Sequence, residues 1–444
     1  PAAPKRRGRL ALLLAGGLVA VLAIGAGTVW GVSRLIGGGD GLKTAWTLDY
    51  AEQEDIGVAT FDQQAMFGAW LTEKEVVRAQ AEGLLAYQLS DGARAWAAAT
   101  PEGTSVCVAA QTVTDGRGAI AFGAKETCDV IAGFDLNSGK LTWQKKISAP
   151  KLYVAADGVT APELSVAGQQ VIVRSDNSVI AFSLTDGKQL WKTTPQKLVP
   201  KRDCGFLDGR AAGELVVIGT YCYQEGAKPD SRELAGLDPA TGKVRWRQSM
   251  PGEAETDGFL SLQPLISQPG LGQSAYINRD PRTGKEISSF TNPIDGTKWM
   301  TLPVNQSNSI DATDIYSYLS DEETIYLPTF PEPVPGKGNS ANQVVAVDLA
   351  TGTRRWVSSG HTDSTVQLIR RDEQGLLAWE VGAARLAPRL VRIDPATGKV
   401  TVVVEGPLSA ATEADNATVL ERDGTVVIVP WKHVVADAAI TVLR

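Results

Sequence analysis

Four cysteines, two histidines and three acid-rich stretches are the residues in this chain with the most chemistry to offer. Cys107 and Cys128 are 21 residues apart, and Cys204 and Cys222 are 18 apart. A zinc site asks for Cys-x-x-Cys spacing or a His partner, and neither is present. A c-type haem site asks for Cys-x-x-Cys-His, which is also absent. An even number of cysteines in an oxidising compartment reads as a disulfide framework. The expectation is Cys107–Cys128 and Cys204–Cys222, each tying neighbouring strands within one repeat, with a metal site or a redox pair as the alternatives. His361 and His433 are too far apart in sequence for a multi-His metal site and read as loop or surface residues. The acids at Glu52-Gln-Glu-Asp55, Asp311 to Asp314 and Asp321-Glu-Glu323 lack the alternating oxygen ligands around a glycine that a calcium loop needs, and read as solvated loops. No P-loop or dinucleotide fingerprint occurs. No catalytic, cofactor or metal residue is therefore expected.

Charge and hydropathy divide the chain. Lys5, Arg6, Arg7 and Arg9 precede residues 10–32, a stretch without a charged side chain. That length crosses a bilayer as a helix, and basic residues in front place the N-terminus in the cytoplasm. A cleaved signal peptide is the alternative, since Ala23 to Gly27 offers small residues, but its apolar region would be shorter. The expected layout is a basic tail at 1–9, a transmembrane helix at 10–32, a Gly-rich linker at 33–45 and an outer domain at 46–444. Residues 1–36 hold five basic residues and no acid, so within a net charge of −7 the remainder carries −12. An acidic outer domain repels nucleic acid and anionic lipid, which argues against binding either.

The outer domain is built from one repeated turn. Gln88 to Trp96, Asp135 to Trp143, Ser183 to Trp191, Asp238 to Trp246, Asp348 to Trp356 and Asp394 to Val402 all approximate Asp-x-x-Thr-Gly-Lys-x-x-Trp. A short apolar strand precedes each. The Asp or Ser oxygen caps backbone N–H groups two residues on. The glycines, Gly92, Gly139, Gly187, Gly242, Gly352 and Gly398, supply the positive φ that closes a hairpin. The indoles of Trp96, Trp143, Trp191, Trp246 and Trp356 offer large apolar faces for packing between successive sheets.

A degraded copy lies between Gly242 and Gly352. Gly296 with Trp299 gives the more even spacing. Asp280 to Gly284 also fits the turn, but Ser288 stands in its Trp position and the neighbouring steps become 42 and 68 residues. Spacing favours Gly296, with Asp280 to Gly284 as an earlier hairpin of the same repeat. Asp40 to Trp46 is half a copy, and Val426 to Val429 and Ala439 to Leu443 read as late strands without a closing turn. Repeats near 50 residues fit four-stranded blades. The expected fold is all-β: about eight blades, the last formed by the C-terminal strands and the strand at Trp46, which hides sheet edges. Seven blades or an open solenoid are the alternatives.

The repeated turn resembles that of the PQQ-like β-propeller family, over roughly residues 41–444. That family includes quinoprotein alcohol dehydrogenases, the lipoprotein of the outer-membrane β-barrel assembly machinery, and sensor regions of some bacterial serine/threonine kinases. The dehydrogenases carry adjacent cysteines over their cofactor, and no two cysteines are adjacent here. The resemblance therefore implies a non-enzymatic, membrane-tethered module outside the cell membrane. It would bind an envelope protein, a peptide or a cell-wall ligand on a propeller rim. No lipobox cysteine follows the apolar segment, unlike the assembly lipoprotein. Because the chain starts at Pro1, an upstream part is expected, and the sensor half of a receptor is the second reading. A divergent quinoprotein oxidoreductase is the third. Tyr223 to Glu233, Pro251 to Gly258 and Pro331 to Asn342 lengthen three repeats, and long rim loops are where partners dock.

Overall fold

The computed structural model describes residues 41–49, 66–124, 127–148, 162–175, 178–200, 203–223, 231–250, 259–267, 275–298, 318–337, 339–359, 363–383, 385–410, 417–431 and 438–444. The expected tail and transmembrane helix, His361, His433 and Trp299 lie outside these residues, as do the acids at 52–55 and 311–314. Among the described residues, no helix is long and apolar enough to cross a membrane.

The strands form eight four-stranded antiparallel sheets. The first blade runs outward through Gly68–Leu71, Glu75–Gln80, Gly83–Gln88 and Arg94–Ala99. The second to seventh blades span 105–146, 163–193, 203–250, 259–291, 319–357 and 366–405. The eighth takes Ala417–Arg422, Thr425–Pro430 and Ala438–Leu443 from the end of the chain and Thr44–Asp49 from its beginning. Leu48 pairs with Ile440 and Thr47 with Thr441. The expected linker is thus shorter than 33–45. Leu42 N–H already donates to the Glu405 carbonyl, and Lys43 and Arg444 exchange two backbone bonds.

Side chains of a strand alternate between its two faces, and in the middle strands of the blades both faces are buried. Val76 packs toward the eighth blade and Val77 toward the second. Val171 and Val173 enter the core shared with the second blade, and Ile172 the core shared with the fourth. The eight apolar clusters correspond one to one with the eight blade-to-blade interfaces. The interface between the eighth and first blades, with Val427, Val429, Ile440 and Val442 against Leu85 and Tyr87, closes the ring.

Each turn glycine meets the outer strand of the preceding blade. Gly92 lies against Trp46, Gly139 against Trp96, Gly187 against Trp143, Gly242 against Trp191, Gly284 against Trp246 and Gly398 against Trp356. The indole N–H usually donates to a carbonyl in the same turn. Trp46 reaches Leu89 at 2.8 Å, Trp143 reaches Leu184 at 2.9 Å, Trp191 reaches Pro239 at 2.6 Å, Trp246 reaches Pro281 at 2.8 Å and Trp356 reaches Pro395 at 3.0 Å. Trp96 instead donates to the Glu75 carboxylate at 2.8 Å.

The fifth turn corrects the sequence reading. Gly284, not Gly296, closes the outer hairpin of the fifth blade, between Ala275–Arg279 and Glu286–Thr291. Gly296 sits in a tight turn beyond the last strand of that blade, where Ile294 and Thr297 exchange backbone bonds. Even spacing misled because the step from Gly284 to Gly352 contains both a long connection, 292–318, and the insertion of the sixth blade. Ser288, in the Trp position, keeps the bond without the ring: its hydroxyl donates to the Leu349 carbonyl at 2.6 Å, and Asn278 donates to the same oxygen at 2.8 Å. Without an indole between them the backbones close in, and a Cβ on Gly352 would stand 2.0 Å from the Ser289 carbonyl oxygen.

Gly296 and Gly352 share a positive φ, 80° and 71°, but a Cβ on Gly296 would meet nothing within 4 Å. Gly296→Ala should cost about 1 kcal/mol, the backbone penalty alone. Gly352→Ala should cost about 3 kcal/mol or more, because two blades must part. Urea unfolding of both variants checks the difference, and equal costs would contradict the close approach.

Candidate binding face

An antiparallel meander sends its connections alternately to two faces. The turns between first and second strands and between third and fourth strands share one face. The connections between second and third strands and from blade to blade share the other. The first face is closed by short, capped turns. The Asp238 carboxylate accepts from Thr241 N–H at 2.9 Å, and Asp348 accepts from Ala350 and Thr351 at 3.0 and 2.9 Å. Asp394 accepts from Ala396 and Thr397 at 2.8 and 2.9 Å. Arg245 and Arg355 add ion pairs at 2.6 Å to Asp238 and Asp348.

Asp321 belongs to this capped face and is not the solvated acid expected from sequence. Its carboxylate caps Glu323 and Thr324 at 2.9 and 2.8 Å, accepts from the Tyr326 hydroxyl at 2.8 Å and pairs with Arg371 of the next blade at 3.2 Å. Farther round, Arg370 pairs with Glu421 of the eighth blade at 2.8 Å. A hollow of about 780 Å³ opens beside these groups on the seventh blade. Arg371 and Arg392 line it, but they are spent on Asp321 and Asp372, at 3.2 and 2.5 Å.

The strand ends that flank every insertion singled out in the sequence lie on the other face. The strand ends on either side of 224–230 and 251–258 lie there, in the fourth blade and between the fourth and fifth. The third insertion, Pro331 to Asn342, leaves that face of the sixth blade as a small hairpin, Glu332–Pro333 with Ser340–Ala341. Its base is pinned by Thr329 N–H donating to Gln343 O at 2.7 Å. Asn342 accepts from Val366 N–H of the next blade at 2.6 Å, and Lys337 pairs with Asp363 at 2.5 Å. Asn339 also donates to the Asp363 carbonyl. The braced hairpin leaves Phe330 57% exposed.

The two disulfides are those expected, and both are structural in position. Cys204 and Cys222 stand opposite each other on adjacent strands of the fourth blade. Cys107–Cys128 does something different from the tie between neighbouring strands that spacing suggested. It joins the innermost strand of the second blade to the connection that enters its third strand. One pair is buried in the core between the second and third blades and the other in the core between the third and fourth. The described inner strands on both sides of the third blade are thereby cross-linked.

Several turn carboxyls titrate low. The Arg355 guanidinium hydrogen-bonded to Asp348 holds its carboxyl below the usual carboxylate range. Arg245 does the same for Asp238. For Asp394 the cause is the backbone N–H groups of Ala396 and Thr397. A carboxyl whose folded pKa is depressed stabilises the fold above its unfolded pKa, near 4, and that contribution is lost as pH falls through the folded value. Stability should therefore drop below about pH 4. Asp348→Asn keeps a turn cap but loses the ion pair. It should be less stable than the parent at pH 7 and closer to it at pH 3, and an undiminished gap at pH 3 in urea midpoints would contradict this.

The chain matches the family described as outer membrane protein assembly factor BamB over residues 63–194 and 175–439. Among solved structures it is similar to quinohemoprotein alcohol dehydrogenase from Comamonas testosteroni, at 12% identity over 90% of this chain and 76% of that one, with a TM-score of 0.50. The quinohemoprotein alcohol dehydrogenase ADHIIG from Pseudomonas putida HK5 matches at 13% identity with the same coverage and TM-score. BamB from Moraxella catarrhalis matches at 12% identity over 85% of this chain and 93% of that one, with a TM-score of 0.44. No curated protein matches the sequence significantly.

Proposed function

We propose, from the premise that this chain belongs to the PQQ-like propeller family described as outer membrane protein assembly factor BamB, that it is a non-enzymatic binding module of the cell envelope whose partner is held on the face carrying the long connections. One observation carries this reading: the two faces are built differently. One is closed by short turns whose acids are spent on backbone N–H groups and on arginines. The other carries the strand ends that flank all three insertions, and a braced hairpin that holds Phe330 in the open. Apolar side chains on rigid supports are what a partner surface uses, because little entropy is lost on binding.

The two disulfides support a location outside the cytoplasm. Attachment to the membrane through residues 10–32 is part of the proposal, supported by their uncharged length and the basic residues before them. The family's quinone does not fit these residues in the way its dehydrogenases hold it. No two cysteines are adjacent, and all four are buried between blades. The partner is accordingly an envelope protein, a peptide or a cell-wall ligand rather than a reacting substrate.

Photo-crosslinking from the full chain in its native membrane tests the reading. A benzophenone residue at Glu332 or Arg385, on the connection face, should give a discrete adduct. The same probe at Asp186 or Thr351, on the capped face, should give none. Adducts from the capped face alone, or PQQ-dependent alcohol oxidation by the purified chain, would overturn it.

A further inference from the structure

One sector of the rim opposes the charge of the whole. Between Lys140 and Pro200 the described residues hold seven basic and two acidic side chains, a net of +5, whereas residues 37–444 together carry −12. Lys140, Lys145, Lys146, Lys188, Lys192 and Lys197 are all exposed. They lie on the outermost strands of the second and third blades, Lys140–Lys146 and Gln189–Thr193, on the turn before the latter, and on the single helical turn Pro195–Leu198. The two strands adjoin, because Trp143 of one covers Gly187 in the turn that leads into the other. Lys146 is paired with Asp129 at 3.0 Å. Among the described residues, Lys145, Lys192 and Lys197 make no ion pair.

Lysines on an edge strand have an ordinary use, which is to discourage edge-to-edge pairing. Two features exceed that use. Lys197 is not on an edge, and Leu190, exposed as are Val244, Ile287 and Val402 on other outer strands, differs from them in having a lysine two residues away on either side, Lys188 and Lys192. An apolar side chain left open on an edge invites contact rather than preventing it.

We propose that this sector receives an extended acidic segment of a partner protein. Its carboxylates meet Lys145, Lys192 and Lys197, and one apolar side chain rests on Leu190. The inference rests on the binding-module reading and names the partner's chemistry. An anionic membrane fits less well. A flat surface would draw the surrounding negative charge to within the screening length, about 8 Å at physiological salt, whereas a single segment confines its charge to the sector.

The test uses the full chain in detergent micelles and a fluorescein-labelled, glutamate-rich peptide of about 15 residues with one central Leu, long enough to span both strands. Fluorescence anisotropy should show binding that weakens steeply with salt. Reversal of Lys145, Lys192 and Lys197 to Glu should weaken it at least tenfold, with Lys→Ala versions intermediate, while the control Lys285→Glu leaves it unchanged. Leu190→Ser should weaken the Leu peptide and not a peptide with Ser in its place. Unchanged affinity in the triple variant at an unchanged melting midpoint would overturn the proposal. So would lysine-dependent binding to phosphatidylglycerol vesicles without binding of the peptide. If the peptide fails while Glu332 still crosslinks a partner, only this inference falls, and the binding-module reading stands.

Discussion

An indole on the outer strand of one blade lies over the glycine that ends a turn of the next, and the ring is spaced by that contact. The glycine meets two demands at once. It takes a positive φ, and it leaves room for the ring, since a Cβ on Gly242 would stand 2.6 Å from the Trp191 indole. A buried indole also needs its N–H satisfied, and the turn supplies the carbonyl. Where the indole is missing, between the fifth and sixth blades, Ser288 keeps the hydrogen bond and the backbones move together. Blade separation is thus set locally, one residue pair at a time.

The cores follow from that spacing. The two middle strands of a blade bury both of their faces, so every blade lends alternate side chains to two neighbours and has no core of its own. Such a ring has no natural end, and an unclosed copy would expose two apolar sheet faces. Pairing of Thr44–Asp49 with Ala438–Leu443 removes them. The same antiparallel path sends the repeated turns to one face and the connections of unequal length to the other. The division between a face of short capped turns and a face of longer connections therefore comes from topology rather than from any single residue.

Sequence made the turns, the blade count, ring closure and the cysteine partners legible, because Asp, Gly, Trp and Cys each serve a local role that shows in their type and spacing. It misplaced the fifth turn because Ser288 does the work of an indole through its hydroxyl, which no apolar pattern reveals, and because a long connection distorted the spacing. The clasp of Asp321 on Arg371 was hidden because its partner lies fifty residues away, on a blade that only the ring brings near. The exposed Phe330 and its bracing by Asn342 and Asp363 were hidden for the same reason. Pro331 to Asn342 could be seen as an insertion but not as a supported one. The lysines of residues 140–202 were visible as types. Only the adjacency of two outer strands makes them one surface.

Closure by the first described strand is what holds the two faces in register, and truncation tests it most directly. Deleting residues 1–40 should leave the melting midpoint of the remaining chain within a few degrees of the full protein. Deleting residues 1–49 removes Thr44–Asp49 and with it the Trp46 contact on Gly92. The account predicts a large fall in melting midpoint and faster hydrogen exchange in Thr425–Pro430 and Gly83–Gln88, on both sides of the opened seam. An unchanged midpoint and unchanged protection in those strands would contradict a ring closed by its own N-terminal strand.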